Sequence, residues 1–526
     1  MKTEQIDIKK DSVQKTKMFF SLFIIIHIIF AVYLGMNKIN YHYDERLTFG
    51  LANNTMGGVK IENGKVYHGF SLYNDYLSVR NTERFDYKGV WKNQAKDVHP
   101  PFYYVIIHTI CSFFPEQYSK WFGIIPNIIF MILTDLLLYQ LAKFILKDNR
   151  LAFIAAAAAG TTTLAMNMVI FIRMYAMMTV FAVGISLMFA VYFDREKDWK
   201  FYTGCYMFTV GGTMTQYYFL IYLFFLCLFF GIRLLVQKKW RETAGFVTVF
   251  LGAGGSCILI FPAMLKQIFS GSKRGKQAFE AIQTLDSYGE YLKEYYKILN
   301  RDVLGRMFVG LMTAAVLLIV FVVYKKGWKR CFQKLNTAAV MLLFAGTLYS
   351  TVIAKIAPYR TDRYIMSFGW IYILFIVWFF SKGLTVVLSG RNKGWVFGGI
   401  FALLLFLAVN SLRLSGWQYR YEYLSSRQIF DIVQQYKDCS VVCVYKKRVR
   451  TLCNIEELKE YKNYVFVKEK DLENLIQRES PKQMILYTMN RTDEEEIIDT
   501  ILRTSSHLNH TVFLFNSGYA KVYYIE

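Results

Sequence analysis

Long apolar runs broken by short basic stretches organise the chain up to about residue 411, where the pattern changes. A helix that crosses a bilayer needs about 20 mostly apolar residues. Runs of this kind fall near 18–36, 121–146, 151–171, 174–193, 201–214, 217–236, 244–263, 304–324, 336–354, 364–381 and 395–411, which predicts about eleven to thirteen membrane helices. The stretch 201–236 is read as two short helices split at Gln216. The run from Phe102 to Phe114 is too short to count: at about 1.5 Å per residue it reaches only about 20 Å. It is expected to be a half-inserted or surface helix.

Three segments remain outside the spans. Residues 37–101 make a long first loop. Residues 264–306 make a second, whose start, Ser270 to Lys276, is flexible and basic. Its remainder places Phe279, Ile282, Leu285, Tyr288, Leu292, Tyr295 and Leu299 at helical spacing, an amphipathic pattern suited to a membrane surface. Residues 412–526 alternate helix-like stretches with strand-like runs at Ser440–Tyr445, Tyr464–Val467, Met484–Met489, Thr511–Phe515 and Tyr519–Ile525, the pattern of a small α/β domain. No glycine-rich phosphate loop occurs in it. The expected division is a cytoplasmic segment 1–17, an all-α transmembrane domain 18–411 and an α/β domain 412–526.

Composition agrees with a membrane protein. Of 526 residues, 54% are hydrophobic, 17% aromatic and only 19% charged, whereas soluble domains carry roughly 25% charged residues. A soluble multidomain enzyme, a disordered chain and a disulfide-stapled module are excluded. The net charge of +23 would suggest nucleic acid in a soluble protein. Here it sits in short loops: Lys147/Arg150, Arg195/Lys197/Lys200, Lys238/Lys239/Arg241, Lys325/Lys326/Lys329/Arg330 and Lys382/Arg391/Lys393. The excess of Lys and Arg in cytoplasmic loops places these clusters inside and argues against a nucleic-acid partner. Lys9, Lys10, Lys15 and Lys17 put the N-terminus inside too, ahead of an uncleaved anchor, and the α/β domain is then extracytoplasmic. Cys439, Cys443 and Cys453 in that domain are open between one disulfide with a free thiol and burial in reduced form.

The unusual polar residues fall on the predicted outer side. Asp44-Glu45 follow the first span, within Tyr41-His42-Tyr43-Asp44-Glu45. Asp97-Val98-His99-Pro100-Pro101 opens the short apolar helix. Arg173-Met174-Tyr175, Gln216-Tyr217-Tyr218 and Tyr359-Arg360-Thr361-Asp362-Arg363-Tyr364 occupy outer turns. Arginine grips phosphate through two parallel hydrogen bonds, and a carboxylate serves as general base toward a hydroxyl. Guanidinium groups and carboxylates gathered at a membrane surface therefore suit chemistry on a lipid-linked phosphate.

With these residues the chain, over roughly 18–411, resembles the membrane glycosyltransferases of the GT-C fold, family 39 in particular: the protein O-mannosyltransferases and the lipid A aminoarabinose transferase group. The Asp-Glu pair combined with Asp-x-His-Pro-Pro carries most of the likeness, and the Arg-Met-Tyr and Arg-x-x-Arg-Tyr turns add to it. The resemblance implies a polyprenyl-phosphate sugar donor, transfer with inversion, a hydroxyl acceptor (protein, lipid or cell-envelope glycan), and the outer face of a bacterial cytoplasmic membrane. It implies Asp44 as general base with Glu45 as its orienting neighbour. Asp97 and His99 would line the site, Tyr175 would bind substrate, and Arg173, Arg360 and Arg363 would stabilise the leaving phosphate. The loops 37–101 and 264–306 would close over the substrates and exclude water.

Plainer readings stand beside these. Arg360 and Arg363 are equally suited to lipid headgroups. His42, Asp44, Asp97 and His99 have the side chains of a divalent-metal site, although the family resemblance implies no cofactor. Asp135 lies mid-span, where a carboxylate is costly; a hydrogen bond to a neighbouring helix, through Asn167 for example, would satisfy it. A transporter or flippase of lipid-linked sugars is the main alternative. It should show internal repeats and deep polar residues, and no repeat is visible. A second alternative, an envelope-assembly scaffold whose α/β tail binds a partner, leaves the gathered acids and arginines without a role.

Overall fold

The computed structural model describes residues 2–55, 58–269, 276–277, 280–281, 283, 287–327, 336–388, 393–447, 451–489 and 492–526. The expectations on Ser270 to Gly275, Phe279, Ile282, Leu285, Lys329, Arg330 and Arg391 lie outside the described residues. The chain divides into two compact units.

The first unit comprises 1–35, 94–103 and 123–420 and is helical. Every apolar run of the sequence is helical, but fewer of these helices qualify as spans than the sequence predicts. Among the described residues eight are long and apolar enough to cross a membrane: Gln14–Asn37, Trp121–Leu146, Phe219–Val236, Trp240–Ile260, Phe308–Lys326, Thr337–Ile356, Met366–Val387 and Gly394–Leu414. The run 151–171 adds a ninth if its bent pair is one span. It is two helices, Asn149–Gly160 and Thr163–Ile170, bent by 57°. Thr162 causes the break: its side chain accepts a hydrogen bond from the Ala165 amide at 3.2 Å and so caps a new helix instead of continuing the old one. Tyr175–Val191 and Trp199–Thr215 are helices of 17 residues each. Gln216 ends the second of these and Phe219–Val236 follows, so the split at Gln216 holds.

Asp135 is bonded to His27, not to Asn167, with Oδ2 2.8 Å from Nδ1. Both side chains are buried, so each satisfies a polar group that lipid could not. Gly160 makes room for the pair. A Cβ there would lie 2.7 Å from Asp135 Oδ1 and 3.0 Å from His27 Cε1.

The second unit comprises 36–93, 104–122 and 421–526. The 37–101 loop and the C-terminal tail, expected as separate pieces, are thus largely one body. The sheet shows why. Its six strands are β1 (Val66–Tyr67), β2 (Ser440–Tyr445), β3 (Asn463–Lys468), β4 (Met484–Met489), β5 (Thr511–Ser517) and β6 (Ala520–Ile525), in the order β1-β3-β2-β4-β6-β5. The tail supplies five of them, and β1 comes from the first loop, antiparallel to β3 with Val66 opposite Val465. The two-residue strand was invisible in the sequence because so short a segment has no alternation to read. β2 pairs parallel with both β3 and β4. Buried on both faces, these strands read as continuous apolar runs. On one face Leu475, Ile476, Ile497 and Ile501 of the helices Leu472–Glu479 and Glu494–Thr504 pack on Val442, Val444, Val467 and Leu486. Elsewhere in the unit Tyr67 and Tyr73 of the first loop stack on Tyr464. Cys439 and Cys443 are buried free thiols, and Cys453 is also unbridged.

Glu457 is fully buried in this unit, accepting hydrogen bonds from Ser517 Oγ, from Asn454 Nδ2 at 3.4 Å and from Tyr487 OH at 3.4 Å. Burial pushes its carboxyl up to about 7 against the partial relief these donors and the Arg46 charge provide. A folded-state value above the unfolded one means that the folded protein holds the proton more tightly. This contribution is present below the unfolded value and is lost as pH rises through about 7. Relative to Glu457→Gln, the wild-type unit is therefore expected to lose thermal stability between pH 5 and pH 8. Parallel curves for the two proteins would contradict it.

Candidate active site

Each unit holds part of the residue set that the sequence singles out, and the two parts are described separately. In the α/β unit, Asp44 and Glu45 open the helix Tyr43–Asn53. The sequence His42-Tyr43-Asp44-Glu45 folds as a capping box. His42 Nδ1 accepts from the Asp44 amide at 3.1 Å, and Glu45 Oε2 accepts from the His42 amide at 2.6 Å. The two neighbouring carboxylates are used differently. Glu45 is completely buried against Lys38, 3.0 Å away, whereas the Asp44 side chain keeps 24% of its surface. The Asp44 carboxylate lies 3.6 Å from His42 Nδ1. Because Nδ1 already accepts a backbone hydrogen bond, the neutral ring carries its proton on Nε2.

The tail fixes this helix. Lys38 Nζ donates to Tyr421 O at 2.6 Å, Ile39 N to Glu422 O at 3.0 Å, and Asn40 Nδ2 to Ser426 Oγ at 3.1 Å. Arg46, two residues beyond Asp44, donates to Leu452 O and to Asn40 Oδ1. Burial pulls the Lys38 ammonium below its usual range, opposed by the charge of Glu45 and its hydrogen bond.

In the membrane unit, Asp97, His99 and Arg173 form a chain. Asp97 Oδ2 is 2.7 Å from His99 Nδ1, and His99 Nε2 is 3.1 Å from Arg173 Nη2. A guanidinium only donates, so Nε2 accepts and Nδ1 carries the proton toward Asp97. Burial raises the Asp97 carboxyl. His99, Arg173 and the Val98 amide outweigh it, holding the group below the usual carboxylate range. Gln267, a residue the sequence reading passed over, pins this segment. Its amide donates to Gln94 O and Asp97 O, each at 2.7 Å, while Tyr217 OH donates to its carbonyl at 2.6 Å. An isolated glutamine between an apolar run and a basic segment carries no pattern that would mark it.

Arg173 is buried in the turn after Thr163–Ile170. Tyr175, two residues on, is tied to the other arginine turn: Ser367 Oγ donates to Tyr175 O at 3.0 Å. In that turn Arg363 donates to Tyr364 OH at 3.0 Å and its amide to Asp362 Oδ1 at 3.0 Å, and Arg420 meets the same carboxylate at 3.1 Å. Arg360 stacks on Tyr291, 3.4 Å from the ring centroid. Tyr291 belongs to the helix Tyr288–Asp302, the described part of the expected amphipathic helix. The helix also holds the turn through Tyr295 OH, which donates to Tyr359 O at 3.3 Å. The structure thus brings Asp97, His99 and Arg173 together, links Tyr175 to the turn carrying Arg363, and gives Arg360 an aromatic platform. Both ring nitrogens of His99 are engaged, so the ring could ligate a metal only by giving up one of these bonds.

Comparison with known proteins follows the same outline. A sequence profile of the dolichyl-phosphate-mannose-protein mannosyltransferase family matches residues 98–265, less than half of the chain. The match spans His99, Arg173 and Tyr175. ArnT from Cupriavidus metallidurans, solved with undecaprenyl phosphate bound, aligns over 95% of this chain and 97% of its own, with a TM-score of 0.51 at 8% identity. The chain has the GT-C fold. The oligosaccharyltransferase AglB from Archaeoglobus fulgidus, solved with an inhibitory peptide and a dolichol-phosphate, aligns over 90% of this chain and 69% of its own, with a TM-score of 0.43 at 11% identity. A search of curated proteins gives no match.

Proposed function

We propose that this chain is a glycosyltransferase that takes a sugar from a polyprenyl-phosphate donor and transfers it, with inversion, to a hydroxyl acceptor on the outer face of a bacterial cytoplasmic membrane. The observation that carries the reading is the Asp97–His99–Arg173 chain, because it holds a buried guanidinium in a fixed orientation inside the segment matched by the mannosyltransferase profile. Asp44 takes the proton of the acceptor hydroxyl as its oxygen bonds to the anomeric carbon. The bond from that carbon to the phosphate oxygen breaks, and polyprenyl phosphate leaves with the bonding electrons. Arg173, Arg360 and Arg363 meet the charge that develops on the phosphate, which a preorganised guanidinium stabilises more in the transition state than in the ground state. Glu45 orients the Asp44 helix through its cap. Tyr175 and Ser367 keep the two arginine turns in register.

The test uses purified protein in nanodiscs with a panel of polyprenyl-phosphate sugars and follows release of polyprenyl phosphate. Arg173→Gln should lower release by about 10²–10³-fold, the usual effect of losing one transition-state donor. Release equal to wild type would remove Arg173 from the reaction, and no release with any donor and hydroxyl acceptor would sink the reading. No step needs a divalent ion, so EDTA is expected to leave the rate unchanged. A loss restored by added Mg²⁺ or Mn²⁺ would contradict that expectation.

A further inference from the structure

The α/β unit carries a charged crevice that sugar transfer does not use. β3, β2 and β4 lie side by side and parallel. From β2 the chain moves to β3 on one side, and from β4 it moves on to β5 and β6 on the other. Where adjacent parallel strands send their connections in opposite directions, an open α/β sheet leaves a crevice outside the carboxyl ends, the usual place for a ligand. Here that crevice has a volume of about 620 Å³, within the range of small-molecule sites.

Its lining is basic. Lys446 and Lys447 follow β2 directly, and Lys468 and Lys470 stand at the end of β3. Glu469 and Glu496 are the acids present, and Leu472 and Ile497 contribute the edge of the core. Lys446 approaches Glu469 at 3.6 Å. The other three ammonium groups have no ion-pair partner among the described residues. The rim is fixed by the first loop: the Lys468 amide donates to Asn63 Oδ1 at 2.7 Å, and Asn63 Nδ2 donates to Asp471 at 3.0 Å. Several ammonium groups around one crevice give it a positive potential that favours a multiply charged anion. Lysine binds phosphate as a point charge and needs no glycine loop to do so.

We propose that this crevice binds a ligand carrying two phosphate groups, a diphosphate or a bis-phosphorylated headgroup. The probe is inorganic pyrophosphate, titrated calorimetrically into the full-length protein in phosphatidylcholine nanodiscs. The test variant is Lys446→Gln/Lys468→Gln/Lys470→Gln. Its control, Lys437→Gln/Lys462→Gln/Lys482→Gln, removes the same charge from exposed positions elsewhere on the unit. Saturable binding weakened at least tenfold in the first variant and kept in the control is expected. Equal loss in both variants would reduce the effect to net charge and overturn the site, as would a wild type that does not bind. Repeating the titration in discs containing cardiolipin, whose headgroup carries two phosphates, separates the two sources of the ligand. Competition by the lipid assigns the site to a headgroup, and unchanged affinity assigns it to a soluble phosphate.

Discussion

Replacing Asp44 with Asn is expected to lower polyprenyl-phosphate release by about 10²–10⁴-fold, the usual contribution of a general base, while leaving the protein folded. The two halves of that expectation have different origins. The loss of activity follows from the proposed role: asparagine has the size of aspartate and cannot take a proton. Preserved folding follows from the geometry. The Asp44 side chain is partly exposed, and the cap of its helix is built from the His42 ring and the Glu45 carboxylate. Asparagine also leaves the Asp44 amide free to donate to His42 Nδ1. Release and circular dichroism on one preparation measure both halves. Wild-type release from the folded variant would remove Asp44 as the base, and an unfolded variant would place the residue in the scaffold instead.

The helical part of the fold was legible because lipid demands long apolar runs, and those survive without any tertiary information. Where the sequence reading departs from the structure, the deciding interaction is either a local one too common to stand out or a non-local one. The break at Thr162 needs only one hydroxyl, and threonine occurs within many membrane helices. Asp135 announces itself as a deep carboxylate, but its partner His27 lies 108 positions away. The pairing of β1 with β3 joins residue 66 to residue 465. For the site, residue types were readable and partnerships were not. His99 and Arg173 stood out separately, and the 3.1 Å contact between them is a product of folding. Asp44 and Glu45 stood out as a pair, whereas only the structure shows that one carboxylate is partly open and the other fully buried.

That difference sets the second large effect. Glu45→Gln removes the negative partner of Lys38, whose side chain is completely buried. Breaking such a pair by removing one member costs about 3–5 kcal/mol, because the remaining charge has no water to return to. Lys38 also donates to Tyr421 O at 2.6 Å, so the loosened lysine weakens one of the bonds by which the tail holds the helix carrying Asp44. Glu45→Gln is therefore expected to lower the unfolding midpoint of the α/β unit and to expose residues 36–93 and 421–526 to protease and hydrogen exchange in the full-length protein. Asp44→Asn should leave both protected. The double variant Lys38→Met/Glu45→Gln removes the stranded charge and should recover part of the stability, since replacing both members of a buried pair costs much less than removing one. Its recovery stays incomplete because methionine cannot donate to Tyr421 O. A double variant no more stable than Glu45→Gln would show that the buried charge is not the source of the loss. In that case the Glu45 bond to the His42 amide, at 2.6 Å, would be what holds the helix in place.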